Sequence, residues 1–168
     1  CGETGCGKST QVPQFLLEAA TAASDGARCS VIVTQPRRVA AVSLARRVAA
    51  ERGEPVGRSV GYSIRLENKA SSRTRLLFCT TGVLLRRLEE DPMLVGTTHV
   101  IVDEVHERDL HTDFFLLLLK RLLPQRPDLK VVLMSATLDP TVFQQYFPGA
   151  ATVTIPGRTN YPIAEHFL

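Results

Sequence analysis

A glycine-rich stretch near the start of the chain, GETGCGKST at residues 2–10, has the residue types and the spacing of a phosphate-binding loop. Four residues separate Gly2 from Gly7, and Lys8 and Ser9 follow directly, which is the GxxxxGK[ST] pattern. Glycines let consecutive backbone N–H groups turn toward one anion, and the helix that follows adds the positive end of its dipole. We therefore expect Lys8 against the β- and γ-phosphates of a nucleotide and the Ser9 hydroxyl on Mg²⁺. A glycine-rich turn before a helix is the alternative that this stretch alone leaves open.

Two adjacent acids, Asp103 and Glu104, follow the apolar run HVIV at residues 99–102. Side chains at the carboxyl ends of parallel strands face the ligand in open α/β sheets. We expect Asp103 to hold Mg²⁺ through water, and Glu104 to lie at the metal and polarise the water that attacks the terminal phosphate. An acid pair after a strand is by itself more often a solvated turn. The phosphate loop makes the hydrolytic interpretation the better one.

The elements that must position these residues alternate along the chain. Apolar, β-rich runs predict strands, mostly continuous as expected for strands covered on both faces. These runs lie at residues 30–35, 59–64, 75–79, 99–104, 130–135 and 151–156. Helical spacing and end signals predict helices between them. The helices lie at residues 12–20, with a kink or restart at Pro13, and at 37–52, 82–90, 112–123 and 140–147, the last capped by Asp139. This alternation predicts an α/β fold with a doubly wound, mostly parallel sheet, in which residues 66–75 are the most loop-like.

The composition is that of one globular domain. The chain has 168 residues, 44% of them hydrophobic and 22% charged, which excludes a disordered or collagen-like class. The longest apolar run, residues 114–119, is too short to cross a bilayer, so we expect an intracellular protein, cytoplasmic or nuclear, with no membrane partner. The four cysteines form no CxxC pair, which favours reduced thiols. A net charge of +3 permits an anionic partner without requiring one.

Four motifs in order, GETGCGKST, TQPRR, DEVHER and SAT, make this sequence resemble the first RecA-like domain of DEAH/DExH-box RNA helicases. The resemblance covers essentially the whole chain, including GYSIRLE and FCTTGVLLRRL. Val105 stands where the name-giving DEAH has alanine, which points to the wider DExH group. The resemblance implies a P-loop NTPase fold of the RecA type. It also implies ATP and Mg²⁺ as cofactors, and ATP hydrolysis coupled to RNA binding and unwinding in the full-length protein.

The resemblance also implies roles by position. The residues implied to bind the nucleotide are Gly2, Glu3, Thr4, Gly5, Cys6, Gly7, Lys8, Ser9 and Thr10. Lys8, Glu104 and His106 are implied to be catalytic, and Ser9, Asp103 and Glu104 to hold the metal. His106 is further implied to connect the γ-phosphate to the SAT motif, which would couple hydrolysis to unwinding through Ser135, Ala136 and Thr137. Without the resemblance, His106 is a surface histidine after a strand and SAT is a common turn.

Candidate nucleic-acid contacts lie at two strand-to-helix turns. TQPRR offers Arg37 and Arg38, where cations and helix N–H groups can grip phosphates. TTG places Thr80, Thr81 and Gly82 at the second turn, with donors suited to sequence-independent contact with a single strand. The chain has no Trp and is 6% aromatic, which favours backbone tracking over base stacking. RNA as the partner follows from the resemblance, and DNA stays open.

Only Cys1 precedes Gly2, so the strand that normally feeds such a loop is not in this sequence. We expect residues 1–168 to be a RecA-like domain truncated at its N-terminus and lacking its first strand. The resemblance implies a second RecA-like domain elsewhere in the full-length protein that supplies arginines to the γ-phosphate, so this chain alone should hydrolyse ATP weakly or not at all. The alternative is a P-loop ATPase motor that does not act on nucleic acid. Such a motor gives no reason for TQPRR or TTG at strand ends.

Overall fold

The computed structural model describes residues 1–24, 26, 28–136 and 140–156. It shows an α/β fold in which a six-stranded sheet lies between two layers of helices. The strands are β1 (Val31–Gln35), β2 (Val60–Ile64), β3 (Glu67–Lys69), β4 (Leu76–Thr80), β5 (His99–Val102) and β6 (Lys130–Leu133). The helices are α1 (Lys8–Ala22), α2 (Arg38–Glu51), α3 (Thr81–Glu90), α4 (Leu110–Leu122) and α5 (Thr141–Tyr146), and a short 3₁₀ helix (Val105–Glu107) follows β5.

The strand order is β3-β2-β4-β1-β5-β6. Every neighbouring pair is parallel except β2 with β3, which is antiparallel. The mostly parallel sheet predicted from the sequence is thereby confirmed. Because the parallel strands all end at one edge, the turns after β1, β4 and β5 come together there. These are the turns that carry TQPRR, TTG and the acid pair.

The two faces of the sheet are covered by different helices. One apolar cluster joins α1 and α2 to the sheet and includes Val31, Val33 and Phe78. The other cluster joins α3, α4 and α5 to the opposite face and includes Ile32 and Phe115. The alternation of β1 side chains between the two clusters explains why its sequence is apolar throughout. The buried sheet gives the turns at its carboxyl edge a rigid base.

The prediction of a strand at residues 151–156 is wrong. In this segment only Ile155 pairs with another strand-like residue, through an isolated parallel bridge to Gly2. The Ile155 N–H donates to the Cys1 carbonyl at 2.8 Å, and the Gly2 N–H donates to the Ser135 carbonyl at 3.1 Å. Residues 1–2 thus lie between Ser135 and Ile155. The β-branched composition of the segment indicates an extended chain, but its backbone partners among the described residues are Cys1 and Gly2, with the Cys1 nitrogen also donating to the Val153 carbonyl at 2.8 Å.

Two local predictions also need correction. The first helix begins at Lys8 and continues through Pro13, without the restart that the sequence offered as the alternative to a kink. Pro13 lies on the second turn and removes a single N–H, whose helical acceptor would be the Ser9 carbonyl. Within the stretch predicted to be a loop, residues 67–69 form the short antiparallel strand β3 with all side chains exposed. The predicted cap Asp139 lies outside the described residues. No helix in the described part of the chain is long and apolar enough to span a bilayer.

Candidate active site

The phosphate loop is shaped by its glycines. Gly5 and Gly7 have φ angles of 85° and 88°, in the left-handed region that glycine adopts without strain. Gly7 is the N-cap of α1, and the N–H groups of Thr10 and Gln11 donate to its carbonyl at 3.2 and 2.8 Å. No side chain in the described part of the chain caps this helix. The loop therefore presents backbone N–H groups and the positive end of α1 to a common point, which is the chemistry of an anion site.

Lys8 places its charge inside the loop. Its side chain is buried, with 7% of the residue exposed. The ammonium group donates to the carbonyls of Gly2 and Glu3 at 2.5 and 2.8 Å and lies 3.6 Å from the Cys6 Sγ. Of the remaining loop residues predicted to bind nucleotide, Thr4 and Gly5 are exposed and Ser9 and Thr10 are half-buried, with the Thr10 hydroxyl donating to the Gly7 carbonyl. A lysine held at this point compensates the negative charge of a bound phosphate.

The acid pair lies at the carboxyl end of β5. Asp103 is 1% exposed, and its N–H donates to the Thr34 carbonyl of β1 at 3.2 Å. Glu104 is half-buried and has φ 56° and ψ 35°, a left-handed conformation that costs a non-glycine residue about 1–2 kcal/mol. This conformation turns the chain out of the strand and into the 3₁₀ helix, where the Val105 N–H donates to the Met134 carbonyl at 3.1 Å. Local strain of this kind is concentrated at functional sites.

The environment of Glu104 favours its protonated form. Burial raises the pKa of the Glu104 carboxyl above its usual value, and the neighbouring Asp103 raises it further. His106 and Lys8 lower the pKa of Glu104 and Glu107 raises it, with a net upward shift. Lys8, one of the residues that lower this pKa, belongs to the phosphate loop. A carboxylate with a raised pKa is a stronger proton acceptor than an exposed one.

His106 connects the acid pair to the segment after β6. Its Nδ1 accepts the Ala136 N–H at 3.3 Å and lies 3.4 Å from Glu104 Oε2. The Ser135 carbonyl accepts the Gly2 N–H, so the same segment also contacts the start of the phosphate loop. Thr137, the third residue predicted for coupling, lies outside the described residues. The structure thus brings His106, Ser135 and Ala136 together at the nucleotide side of the sheet edge.

The two predicted nucleic-acid turns lie beside the acid pair. Arg37 is the N-cap residue of α2, and its Nη2 lies 3.1 Å from Glu107 Oε1, within the 3₁₀ helix. The Arg38 guanidinium donates to the Arg65 carbonyl at 3.3 Å. Thr80 is the N-cap residue of α3, and neither α2 nor α3 has a side-chain cap within the described residues. Their first-turn N–H groups are therefore available to anions.

The second of these turns is joined to α4. The buried hydroxyls of Thr81 and Thr112 lie 3.4 Å apart, and the Thr112 hydroxyl in turn donates to Asp109. Gly82, the last of the predicted nucleic-acid contacts, is exposed. The turn that carries TTG is thus fixed to the segment that follows the acid pair.

The residues predicted to hold Mg²⁺ have the chemistry that this ion requires. Mg²⁺ is bound by oxygen ligands, commonly one or two carboxylates together with substrate phosphates and water. Asp103 and Glu104 supply carboxylates and Ser9 supplies a hydroxyl. The described residues contain no group of three or more His, Cys, Asp or Glu side chains that could hold a metal by themselves. A metal at this edge would therefore take its remaining ligands from water or from the phosphates of a nucleotide.

Sequence reasoning missed Gln35, the residue before the proline of TQPRR. Its side chain is buried against Asp103, with Nε2 donating to Asp103 Oδ2 at 2.5 Å. Glu107 and Thr112, the partners of Arg37 and Thr81, were missed as well. A polar residue at the end of an otherwise apolar strand was the available signal for Gln35. Its partner could not be named before the order of the strands was known.

Comparison with known proteins identifies the group to which these motifs belong. The profile of the DEAD/DEAH box helicase family matches residues 1–145. Over 99% of its length, the chain is 61% identical to the DExH-box ATP-dependent RNA helicase DExH3 and 59% identical to DExH1, both of Arabidopsis thaliana. Over the same share of the chain it is 55% identical to the human ATP-dependent RNA helicase DHX30.

These relatives are much longer than the chain. It spans 14% of the length of DExH3, 17% of DExH1 and 14% of DHX30. The family profile and the identities over nearly the whole chain agree with the order of its motifs and with the geometry of the sheet edge. The chain belongs to the DEAD/DEAH box helicase family.

Proposed function

We propose that this chain is the ATP-binding domain of an ATP-dependent RNA helicase, which binds and hydrolyses Mg²⁺-ATP and couples hydrolysis to the binding and unwinding of RNA. The observation that carries the proposal is the convergence of two halves of a nucleotide site. The phosphate loop and the acid pair come from distant parts of the sequence, yet both contact the segment after β6: the Gly2 N–H donates to the Ser135 carbonyl at 3.1 Å, and the Ala136 N–H donates to His106, two residues after Glu104, at 3.3 Å. The names of the relatives support the same activity.

The loop binds the phosphates of ATP through its backbone. The N–H groups around Gly5 and Gly7 and the start of α1 surround the β- and γ-phosphates. The Lys8 ammonium already lies within the loop, so a change of rotamer moves its hydrogen bonds from the Gly2 and Glu3 carbonyls to phosphate oxygens. Lysine is a common phosphate ligand in loops of this type.

Glu104 acts on the attacking water. Its raised pKa makes it a better proton acceptor, and its left-handed backbone directs it away from the strand. Asp103 and Ser9 hold Mg²⁺, which supplies charge neutralisation and orientation for the transferred phosphoryl group. Hydrolysis then consists of attack by water on the γ-phosphorus and cleavage of its bond to the bridging oxygen, with ADP as the leaving group.

RNA binds along the neighbouring turns. The uncapped N-termini of α2 and α3 provide backbone N–H groups for successive phosphates, and Arg37 and Arg38 provide positive charge. Arg37 is paired with Glu107 in the 3₁₀ helix that also contains His106. His106 contacts Ala136, so changes at the γ-phosphate and changes at the RNA turn reach the same short segment.

A second RecA-like domain completes the site in the full-length protein. Arginines delivered to the γ-phosphate by a second domain commonly accelerate phosphoryl transfer by about a thousandfold or more. The great length of the relatives compared with this chain leaves room for such a domain. Residues 1–168 alone are then expected to hydrolyse ATP weakly.

The test measures ATP hydrolysis by the full-length protein with and without single-stranded poly(U) RNA, and strand separation on a duplex with a single-stranded overhang. We expect RNA to stimulate hydrolysis and the Glu104→Gln variant to lose both activities while it retains RNA binding. Hydrolysis that is unaffected by RNA would favour a motor that does not act on nucleic acid. Equal stimulation by DNA would remove the preference for RNA.

A further inference from the structure

Gln35 and Asp103 form a buried pair at the centre of the sheet edge. Gln35 is the last residue of β1, and Asp103 directly follows β5, the parallel neighbour of β1. Thr34 lies opposite Val102, so the next residue of each strand, Gln35 and Asp103, continues the same register. Gln35 is 2% exposed and Asp103 1% exposed, and Gln35 Nε2 lies 2.5 Å from Asp103 Oδ2.

The chemistry of the two groups fixes the direction of this hydrogen bond. The amide nitrogen of Gln35 is a donor and faces Asp103 Oδ2, which accepts. The other carboxylate oxygen, Asp103 Oδ1, accepts the Glu104 N–H at 2.9 Å. Each oxygen thus has one protein donor, and rotation of the carboxylate would break both bonds. Each oxygen also keeps a lone pair for a metal ion or a metal-bound water.

We propose that Gln35 is a positioning residue for Asp103, holding this carboxylate in the orientation in which it binds Mg²⁺. The proposal rests on the function proposed above, because Asp103 is assigned to the metal there. Hydrogen-bond partners that orient a metal-binding carboxylate commonly change metal affinity or activity by about 10- to 100-fold when they are removed. The role of Gln35 is therefore indirect, through its hydrogen bond to Asp103.

The position of Gln35 gives it a second consequence. Pro36 and Arg37 follow it directly, and Arg37 is the N-cap residue of α2 and a candidate RNA contact. The side chain of one residue is therefore hydrogen-bonded to the metal-binding acid, while its main chain leads into the RNA turn.

If Gln35 had a purely structural role, its loss would not act specifically on Mg²⁺ binding. Gln35 would then satisfy a buried carboxylate and fill space, and its loss would lower the stability of the fold and weaken nucleotide binding with or without Mg²⁺. The positioning role instead predicts an effect confined to the part of nucleotide binding that depends on Mg²⁺. These two roles differ in a quantity that can be measured without turnover.

The experiment uses the full-length protein and a fluorescent, non-hydrolysable ATP analogue, titrated in EDTA and at a series of Mg²⁺ concentrations. The test variant is Gln35→Met, which keeps the length of the side chain and removes the donor. The matched control is Gln125→Met, the same change at an exposed glutamine that donates to the Arg121 carbonyl on the surface. We expect Gln35→Met to raise the Mg²⁺ concentration for half-maximal binding by about tenfold or more, with affinity in EDTA changed less than about twofold.

A double substitution tests whether Gln35 acts through Asp103. Once Asp103→Asn has removed the carboxylate, adding Gln35→Met should change the Mg²⁺ requirement no further. Gln35→Asn keeps a donor on a shorter side chain, so its Mg²⁺ requirement should lie between those of the wild type and Gln35→Met. It replaces Gln35→Met in the experiment if that variant does not fold. An unchanged Mg²⁺ requirement, an equal loss of affinity in EDTA, or an additive double variant overturns the positioning role. Failure of the proposed function looks different, because the wild-type protein would then show no Mg²⁺-dependent nucleotide binding.

Discussion

The N-termini of the helices at the carboxyl edge of the sheet are of two kinds. Helix α4 begins with Asp109, whose carboxylate accepts the N–H groups of His111 and Thr112, each at 3.1 Å. Helices α1, α2 and α3 begin at the same edge, and no side chain in the described part of the chain caps them. Their N-cap residues are Gly7, Arg37 and Thr80.

This difference distinguishes a helix end that is closed by the chain itself from helix ends that are open to the ligands proposed above. A side-chain cap satisfies backbone donors and is worth about 0.5–2 kcal/mol. Three helices at one edge that forgo this contribution leave their first-turn N–H groups for phosphates. The chain thus supplies its own anion at α4, whereas the N-termini of α1, α2 and α3 are the ones to which we assign the phosphates of ATP and RNA in the proposed function.

The largest expected effect comes from substitutions in the two halves of the proposed ATP site. Lys8→Ala should weaken binding of the triphosphate, because the loop loses its only lysine while the acid pair is unchanged. Glu104→Gln should leave binding nearly intact and lower turnover by roughly a thousandfold, the size of a general-base contribution. Equilibrium binding of an ATP analogue and single-turnover hydrolysis measure the two effects separately.

Each of these two variants serves as the control for the other. If the Lys8→Ala protein bound ATP as tightly as the wild type, the assignment of phosphate binding to the N-terminus of α1 would be contradicted. A Glu104→Gln protein that retains rapid turnover would remove Glu104 from the reaction. Lys120→Ala, an exposed lysine over the ring of Tyr146, should change neither quantity.

Cysteine labelling compares the open loop with the buried strand end. Cys6 is half-buried in the loop, 3.6 Å from the Lys8 ammonium, whereas burial raises the pKa of the Cys79 thiol to about 12, against the opposing charge of Arg87. At pH 8 only about one Cys79 thiol in ten thousand is ionised, and the thiolate is the reactive form. We expect iodoacetamide to label Cys6 at least about a hundredfold faster than Cys79, as measured by peptide-level mass spectrometry. Mg²⁺-ATP should protect Cys6.

The buried Cys29 reports whether the protein has opened during labelling. Fast labelling of Cys29 together with Cys79 indicates unfolding, and the comparison is then repeated at lower temperature. Equal rates at Cys6 and Cys79 in the folded protein, or a lack of protection by nucleotide, would contradict an open phosphate site at α1.

Capping α2 artificially tests whether its open end binds RNA. Arg37→Ala and Arg37→Ser both remove the cation and the ion pair with Glu107, but serine also supplies a cap oxygen. Arg37→Ser should fold about 1 kcal/mol more stably than Arg37→Ala and yet bind RNA more weakly, because its side chain occupies the N–H groups. In both variants, log affinity should fall less steeply with log salt concentration, and the magnitude of the slope should decrease by about 0.7. Arg73→Ser, at an exposed arginine in the turn before β4, is the control.

The smallest effect is expected at the capped helix. Asp109→Ala should lower the free energy of unfolding by about 1 kcal/mol, since three donors lose their acceptor, while ATP binding changes little. Asp109→Asn should retain most of the stability, because asparagine caps helices as well as aspartate does. Denaturant unfolding measures the difference. An unchanged stability in Asp109→Ala would remove the contrast between the two kinds of helix end.

The sequence was sufficient where local pattern decides the structure. Alternating apolar runs and helical spacing predicted the order of the elements and the parallel sheet, because a strand buried on both faces must be apolar throughout. The phosphate loop was also predictable, since its shape depends on glycines within a few residues of one another. The acid pair was recognised because Asp103 and Glu104 interrupt an apolar run at its carboxyl end.

The sequence was insufficient where distant strands meet. The bonds of Gln35 to Asp103 and of Arg37 to Glu107 join residues 68 and 70 positions apart, and they depend on β1 lying beside β5. The order of strands follows from the packing of the whole sheet, which no short segment encodes. Residues 151–156 were predicted as a strand from composition alone, whereas a strand also needs neighbours with which to pair.

The strand β3 protects the outer margin of the sheet. It is only three residues long, Glu67–Lys69, and presents charged and polar side chains to water. Short, charged margins discourage other chains from adding strands, which is a common route to aggregation. This margin relies on Gly61 of β2, where an added Cβ would lie 2.5 Å from the Lys69 carbonyl oxygen. A single larger side chain there would push β3 away and leave β2 as a template for self-association.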